Sequence, residues 1–278
     1  MMKVARSFLV TCIILTIGTF IVFQGLNLLT TKKEPSTVRK QGDVTNTINF
    51  LAIGDSLTKG VGDSTQNGGY VPLVADQLRD TPGIDNVTTT NYGVTGERSD
   101  EILERIEQQQ ELQTDIKKAD IIVLTAGGND LIQTVKKEKL GINEESFLKP
   151  EKNYKENLSS ILKIIKEQNQ TAEIYVFGLY NPYSSIFPEM TEMKDILLSW
   201  NSATESIAKK NKATYFSLSH LFNGDEKSVV SKTGNSSEET DTSAFLYEED
   251  LFHPNDKGYQ LIANELYRVI IDHRVVED

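Results

Sequence analysis

Apolar segments of strand length alternate with segments of helical periodicity from residue 48 to near the C-terminus of this 278-residue chain. Such alternation is typical of a parallel sheet whose connecting helices cover both faces through right-handed crossovers. The predicted strands are Ile48–Ile53, Val87–Tyr92, Ile121–Ala126, Ile174–Leu179 and Ala213–Leu218. The predicted helices are Tyr70–Leu78, Ser99–Gln109, Tyr154–Gln168, Met190–Asn211 and Gly258–Ile271. We therefore predict one α/β domain built on a five-stranded parallel sheet.

A long apolar run precedes this domain. As a helix, Ser7–Leu29 would measure roughly 34 Å, which is enough to span a bilayer core of about 30 Å. Lys3 and Arg6 precede the run, so the positive-inside rule puts the N-terminus in the cytoplasm and the domain outside the cell. A cleaved signal peptide, with secretion of the domain, is the alternative, but no Ala-x-Ala-like cleavage site follows the run. We favour an uncleaved signal anchor, a single-pass transmembrane helix within residues 1–29.

Three polar segments flank or interrupt the alternating pattern. Thr30–Asn46 contains one proline and has no periodicity, which is typical of a linker, so the folded domain is predicted to cover residues 47–278. Lys136–Lys149 is predicted to be a charged insertion after the third strand. Gly224–Asp241 has almost nothing to bury and precedes His253, so it is either a lid over a site or a solvated surface loop.

The charge excludes several classes of partner. The net charge is −11, and removing the two positive charges of Lys3 and Arg6 leaves −13 for the rest of the chain. A body this acidic is a poor partner for nucleic acid and for anionic lipid surfaces. Cys12 is the only cysteine, so no disulfide can form within the chain, and no Cys/His cluster has metal-ligand spacing. We expect neither a metal nor a cofactor.

The first predicted strand ends at a candidate nucleophile. Gly54-Asp55-Ser56 follows Ile53 directly, which would place the Ser56 hydroxyl at the carboxyl edge of the sheet, where open α/β sheets bind their ligands. A serine at this position is also a common helix N-cap. Serine becomes a good nucleophile only when a base takes its proton, and that base is most often histidine.

Of the three histidines, one has a carboxylate at a useful spacing. Asp250 lies three residues before His253, so it could accept from Nδ1 and leave Nε2 facing a serine. His220 follows the fifth predicted strand, where a packed or capping role is favoured, and His273 lies near the C-terminus and is predicted to be a surface residue. The pattern therefore favours Ser56, His253 and Asp250 as nucleophile, base and orienting acid.

Two further turns bring candidate hydrogen-bond donors to the same edge. Gly93 follows the second predicted strand, where a glycine lets a backbone N–H approach a reacting oxygen closely. Gly127-Gly128-Asn129-Asp130 follows the third and projects a side-chain amide. Together the N–H groups of Ser56 and Gly93 and the amide of Asn129 would form a three-donor oxyanion hole. The alternative is ordinary strand-to-helix turn chemistry, which also favours Gly and Asn.

The chain resembles the SGNH, or GDSL, hydrolase family in four sequence blocks, and most closely its bacterial lipase/acylhydrolase-type members. The blocks are, in the family's order, Gly54-Asp55-Ser56-Leu57, Gly93, Gly127-x-Asn129-Asp130 and Asp250-x-x-His253. The resemblance implies a flavodoxin-like, three-layer α/β/α sandwich and hydrolysis of carboxylic esters through an acyl-serine intermediate without a metal. It implies the same roles for the residues singled out above. The α/β-hydrolases are a poorer match, because their Gly-x-Ser-x-Gly motif would need glycine where Thr58 stands.

The sequence leaves the identity of the ester open. Tyr180–Pro188 follows the fourth predicted strand, so its aromatic residues either line an acyl pocket or cover the core. The expected partners are a small-molecule, lipid or glycan ester and the membrane, through the N-terminal helix. No long apolar lid helix is visible, which favours a short or medium acyl chain. The alternatives are an O-deacetylase of cell-wall or surface polysaccharide and, in a different class, an inactive surface-anchored binding protein.

Overall fold

The computed structural model describes residues 46–138, 144–182, 191–222 and 242–277, and within them five parallel strands form one sheet. The strands are β1 (Thr47–Gly54), β2 (Asn86–Gly93), β3 (Ile121–Leu124), β4 (Glu173–Phe177) and β5 (Thr214–Phe216). They lie side by side in the order β2-β1-β3-β4-β5, and each neighbouring pair is parallel. The predicted five-stranded parallel sheet is therefore confirmed.

Nine α-helices and one 3₁₀ helix lie in the same described ranges. The α-helices are α1 (Ser56–Lys59), α2 (Tyr70–Arg79), α3 (Ser99–Gln108), α4 (Gln110–Lys118), α5 (Gly128–Glu138), α6 (Glu145–Gln168), α7 (Thr191–Lys210), α8 (Ser219–Phe222) and α9 (Asp256–Glu277). The 3₁₀ helix, Thr242–Phe245, precedes the segment that carries Asp250 and His253.

Helices cover both faces of the sheet, because side chains alternate between the faces along each strand. In β1, Leu51 and Ile53 pack into one apolar cluster, with helices α3 to α7. Phe50 and Ala52 pack into a second cluster, with α2, α8 and α9. Both clusters are fully buried at their centres, so the domain has three layers with the sheet in the middle.

The strand order switches at β1: the chain adds β2 on one side of β1 and then adds β3 on the other side. At the carboxyl ends, Gly54 is in register with Gly93, and Ile53 is in register with Leu124. Open parallel sheets form a crevice at such a point, outside the carboxyl ends of the strands. The segments that follow β1, β2 and β3 therefore meet at one edge.

The structure shows helices in places where the sequence did not predict them. The segment Lys136–Lys149, predicted to be a charged insertion, begins in α5, which runs to Glu138, and ends in α6, which begins at Glu145, while residues 139–143 lie outside the described residues. Phe147, which is buried against the core, anchors this early start. Helix α4 was not predicted, because Leu112 and Ile116 are its only buried residues and the rest of its sequence is polar.

Three predictions lie outside the described residues. They concern the transmembrane helix in residues 1–29, the linker up to residue 45, and the polar segment Gly224–Asp241. The aromatic segment predicted at Tyr180–Pro188 is described only as far as residue 182. Among the helices that the structure does describe, none is both long enough and apolar enough to cross a bilayer.

Candidate active site

Ser56 is held at the sheet edge by the turn that joins β1 to α1. Asp55 caps α1, and its Oδ1 accepts hydrogen bonds from the Leu57 N–H and from the Thr125 hydroxyl, both at 3.0 Å. Gly54 is needed because a Cβ at this position would lie 2.0 Å from Thr125 Oγ1. The end of β1 and the residue after β3 are thus locked together, and Ser56 is the first residue of α1.

His253 lies between Ser56 and Asp250. Its Nε2 is 2.8 Å from Ser56 Oγ, and its Nδ1 is 2.6 Å from Asp250 Oδ2. The other carboxylate oxygen, Asp250 Oδ1, accepts from the backbone N–H groups of Phe252 and His253 at 2.9 and 3.0 Å. Leu251 has a φ of 51°, in the left-handed region, and so closes the tight turn that brings the two side chains together.

The environment favours the ionised form of Asp250. Partial burial acts to raise the pKa of its carboxyl, but the hydrogen bonds from the His253 ring and from the two backbone N–H groups outweigh it and hold the pKa below its ordinary value. A carboxylate at this place accepts a hydrogen bond from Nδ1–H, which leaves Nε2 as the acceptor that faces Ser56.

Tyr180 fixes the His253 segment from the end of β4. Its hydroxyl donates to the Phe252 carbonyl, and its ring stacks on the Phe252 ring. The Phe252 ring in turn meets the imidazole of His253 edge-on, with 4.9 Å between centroids. Sequence reasoning placed Tyr180 only in an acyl pocket or over the core, because its contact with Phe252 joins residues 72 apart in the chain.

Asn129 reaches the same edge from the first turn of α5, and it lines the same cavity as Ser56 and His253. Its Nδ2 donates to the Glu97 carbonyl at 2.8 Å. The next residue, Asp130, accepts from the N–H and the hydroxyl of Ser99 at 2.9 and 2.5 Å. Burial raises the pKa of the Asp130 carboxyl against the effect of these two hydrogen bonds. Asn129 and Asp130 therefore hold the loop between β2 and α3 at two successive points.

Gly93 does not join this group, which corrects the sequence-based assignment. Its N–H already donates to Asn91 Oδ1 at 2.8 Å, so it is not available to a substrate oxygen. A Cβ at position 93 would lie 2.1 Å from the Lys59 nitrogen and 2.5 Å from the Thr58 carbonyl carbon. Glycine is required here because α1 packs directly against the end of β2.

The two remaining histidines lie away from the site, as predicted. His220 is in α8, where its N–H donates to Ser217 Oγ, and His273 is in α9, where its ring meets Tyr175 edge-on. Neither lines the cavity that contains Ser56.

An apolar cavity of about 310 Å³ opens beside Ser56 and His253. Its walls include Leu131 and Val135 of α5 and Met193 and Leu197 of α7. The cavity is in the size range of small-molecule sites, and its apolar walls suit a hydrocarbon group next to the reactive hydroxyl. Sequence reasoning missed Leu131 and Val135 because α5 was not predicted as a helix, and it predicted the helix of Met193 and Leu197 without assigning these two residues to a cavity.

Comparisons with known proteins identify the family of this chain. The model of the GDSL-like Lipase/Acylhydrolase family matches residues 52–261. The uncharacterised protein YpmR of Bacillus subtilis (strain 168) is 37% identical over 222 residues, 80% of each chain. The spore germination lipase LipC of Bacillus licheniformis is 26% identical over 225 residues, 79% of this chain and 95% of LipC.

A solved structure has the same fold. The lipase Lip_vut3 from a goat rumen metagenome superposes with a TM-score of 0.65 at 22% identity, over 79% of this chain and 95% of that one. The resemblance predicted from the four sequence blocks is thereby confirmed. This chain belongs to the GDSL-like lipase/acylhydrolase family of carboxylic ester hydrolases.

Proposed function

We propose that this enzyme is a serine esterase of the lipase type that works through an acyl-serine intermediate, with Ser56 as nucleophile. The observation that carries the proposal is the unbroken line from Asp250 through His253 to Ser56, at 2.6 and 2.8 Å. Both are hydrogen-bond distances, and the one between Nε2 and Oγ lies in the range that proton transfer from a hydroxyl to its base requires.

In acylation, His253 Nε2 takes the hydroxyl proton while Ser56 Oγ forms a bond to the ester carbonyl carbon. The carbonyl π electrons move to oxygen, and their return breaks the bond to the alcohol, which leaves with the proton from His253. Water then repeats the attack on the acyl-serine, again with His253 as base, and the acid is released. Asp250 stabilises the imidazolium in each half-reaction.

The negative charge that develops on the carbonyl oxygen needs donors. The Ser56 N–H and the second N–H of the Asn129 amide supply two of them. The loop between β2 and α3 is the source of the third in place of Gly93, because the Glu97 carbonyl in this loop already contacts Asn129. Gly96 is the best candidate in that loop: it has a φ of 86° and is exposed, and no described residue accepts from its N–H.

The apolar cavity favours an ester with a medium acyl chain over an acetyl ester. Each buried methylene contributes about 0.8 kcal/mol, or roughly a fourfold gain in kcat/KM. An acetyl group would leave most of the 310 Å³ unfilled. This argues against the O-deacetylase alternative, and membership of a hydrolase family argues against the inactive binding protein.

The nucleophile and the base are tested by substitution. We expect a fluorophosphonate probe to label Ser56, and we expect Ser56→Ala and His253→Ala each to lower kcat/KM for p-nitrophenyl butyrate by at least about 10⁴. Ser160→Ala and His273→Ala are matched controls, since both residues lie on helices away from the cavity. Turnover that survives in Ser56→Ala would refute the proposal.

The acyl cavity is tested with a series of p-nitrophenyl esters from acetate to decanoate. Val135→Phe should fill part of the cavity, so kcat/KM for octanoate should fall at least about tenfold while that for acetate stays within about twofold. Gln133→Phe, on the same helix but outside the cavity lining, is the control. Equal losses on every ester would show that the cavity does not hold the acyl chain.

We also propose that residues 1–29 anchor the enzyme in the cell membrane with the catalytic domain outside. The support is the apolar run Ser7–Leu29 and the two positive residues before it.

A further inference from the structure

We propose that Arg105 is a positioning residue for the oxyanion hole: it fixes Glu97, and Glu97 fixes the Asn129 amide. The proposal rests on the proposed function, in which Asn129 is an oxyanion donor. Arg105 lies on α3 and lines no part of the cavity. It would therefore act on the reaction only through the groups that it holds.

The Arg105 guanidinium forms hydrogen bonds with three separate segments at the carboxyl edge of the sheet. Nε and Nη2 donate to Glu97 Oε2 at 3.1 and 2.7 Å. Nη1 donates to the Tyr92 carbonyl near the end of β2 at 3.0 Å, and Nη2 reaches the Gly54 carbonyl at the end of β1 at 3.4 Å. The side chains of Arg105 and Glu97 are only 16% and 17% exposed, so water screens this ion pair less than a surface pair.

The link to the reaction is the Glu97 carbonyl, which accepts from Asn129 Nδ2 at 2.8 Å. A carbonyl can only accept, so this contact decides which end of the Asn129 carboxamide is the nitrogen. One N–H is thereby held by the loop, and the other is left for the developing oxyanion. If Glu97 moved, the amide would be free to rotate and present its oxygen, which would repel the negative charge.

The same guanidinium also touches Gly54, two residues before Ser56. Arg105 therefore sets the distance between the strand end that carries the nucleophile and the loop that orients Asn129. Misplacement of a reacting group by about 1 Å can cost about 10² in rate. Lysine cannot reproduce this arrangement, since it is a single point charge and guanidinium is a planar fork of five N–H donors.

The test is a double-mutant cycle on kcat between Arg105→Lys and Asn129→Ala. Asn129→Ala alone should lower kcat about 10² to 10³. Arg105→Lys alone should lower kcat about 10- to 100-fold with KM within about threefold, because the hole acts on the transition state. In the Asn129→Ala background, the loss of kcat from Arg105→Lys should be at least about threefold smaller than in the wild-type background, because the amide that it orients is gone.

Arg79→Lys is the matched control. Like Arg105, Arg79 pairs with a carboxylate, here that of Asp76, and donates to a β2 carbonyl, but its carbonyl is that of Val87 at the opposite end of the strand. It should leave kcat within about twofold. Each variant is assayed well below its melting temperature, and if Arg105→Lys proves poorly folded, Glu97→Gln replaces it in the cycle with the same expected coupling.

The outcomes separate this inference from the proposed function. Equal losses from Arg105→Lys in both backgrounds, or no loss in the wild-type background, would overturn the inference alone. An unchanged kcat in Asn129→Ala would remove Asn129 from the hole and overturn both the inference and that part of the proposed function. Activity retained in Ser56→Ala would overturn the proposed function as a whole.

Discussion

The carboxyl group of Asp55, the residue next to Ser56, is buried and accepts two hydrogen bonds. Burial raises the pKa of this group, while hydrogen bonds from the Leu57 N–H and the Thr125 hydroxyl and the nearby His253 oppose the rise. Thr125 also contacts the Thr58 hydroxyl at 2.8 Å, and Thr58 contacts the Tyr70 hydroxyl at 2.9 Å. A network of side chains behind Ser56 thus holds the turn in place and keeps its polar groups satisfied.

Because of this environment, we expect ionisation of Asp55 at higher pH to lower the stability of the fold. Because its folded pKa lies above its unfolded value near 3.8, folding binds a proton, and stability is lost as the pH rises from 3.8 through the folded pKa. In Asp55→Asn the amide oxygen can keep both hydrogen bonds without any charge. We therefore expect the melting temperature of Asp55→Asn, relative to wild type, to rise with pH between about pH 4 and pH 8.

Asp63→Asn is the control of opposite sign. Partial burial acts to raise the Asp63 pKa, but hydrogen bonds from Thr65, Asn67 and Gly69 outweigh it and lower the pKa. Its ionised form therefore stabilises the fold above pH 3.8, and Asp63→Asn should lose most stability at neutral pH. A difference in melting temperature between Asp55→Asn and wild type that stays constant across the pH range would contradict the explanation given for Asp55.

Among the elements, α1 has an influence out of proportion to its four residues. It carries Ser56 at its first position and ends against Gly93 of β2, so the position of the nucleophile depends on how closely this short helix meets the strand. The Asn91 amide ties the two together through a hydrogen bond to the Thr58 carbonyl at 2.8 Å. The packing of α1 on β2 is therefore part of the active site although neither Gly93 nor Asn91 lines the cavity.

Gly93→Ala is expected to destabilise the domain and slow the enzyme. The added Cβ would lie 2.1 Å from the Lys59 backbone nitrogen, so either α1 or β2 must shift, at a cost of about 1–3 kcal/mol or more. Thermal unfolding and kcat should both report the shift. Gly128→Ala is the stability control, because its Cβ would meet Asp55 Oδ2 at an ordinary 3.7 Å. Equal stability of Gly93→Ala and wild type would refute the packing role of Gly93.

At the scale of the whole molecule, membrane attachment would depend on the apolar N-terminal run and not on the charge of the remaining chain. The body carries −13, so attraction to anionic headgroups cannot hold it at a membrane, and the proposed anchor must supply the attachment by hydrophobic insertion. Both apolar clusters of the domain lie within residues 48–270, so the domain keeps its core when residues 1–45 are removed.

We therefore expect the full chain to remain in the membrane fraction after washing with high salt and to be released by detergent. A version that begins at residue 46 should be found in the soluble fraction with kcat/KM for p-nitrophenyl butyrate within about twofold of the full chain. Release of the full chain by salt alone would contradict insertion, since salt screens charge but does not weaken apolar burial. Recovery of a shortened chain in the medium would instead favour the cleaved signal peptide.

Much of the fold was predictable because its signals are local. In α2, the buried residues Val71, Val74, Ala75 and Leu78 recur with helical spacing, and the apolar runs of β1 and β3 have the length of buried strands. Helices α4 and α5 were not predicted because their local signals are weak: α4 has only two buried residues, and α5 begins in a glycine turn. Their buried residues Leu112, Ile116 and Leu131 pack into the same apolar cluster as Leu51 and Ile53, and such tertiary packing supplies most of the stability of short helices.

The sequence by itself determined the succession of the five strands and of five of the helices along the chain, and it singled out Ser56, His253 and Asp250, because periodicity and short motifs are properties of neighbouring residues. Only the tertiary structure decided that His253 and Ser56, 197 residues apart, are in hydrogen-bond contact. It also decided that Gly93 packs against α1, that α5 and α7 enclose an apolar cavity, and that Arg105 and Glu97 orient Asn129. These contacts join segments far apart in the chain, and their distances are set by how closely whole layers pack.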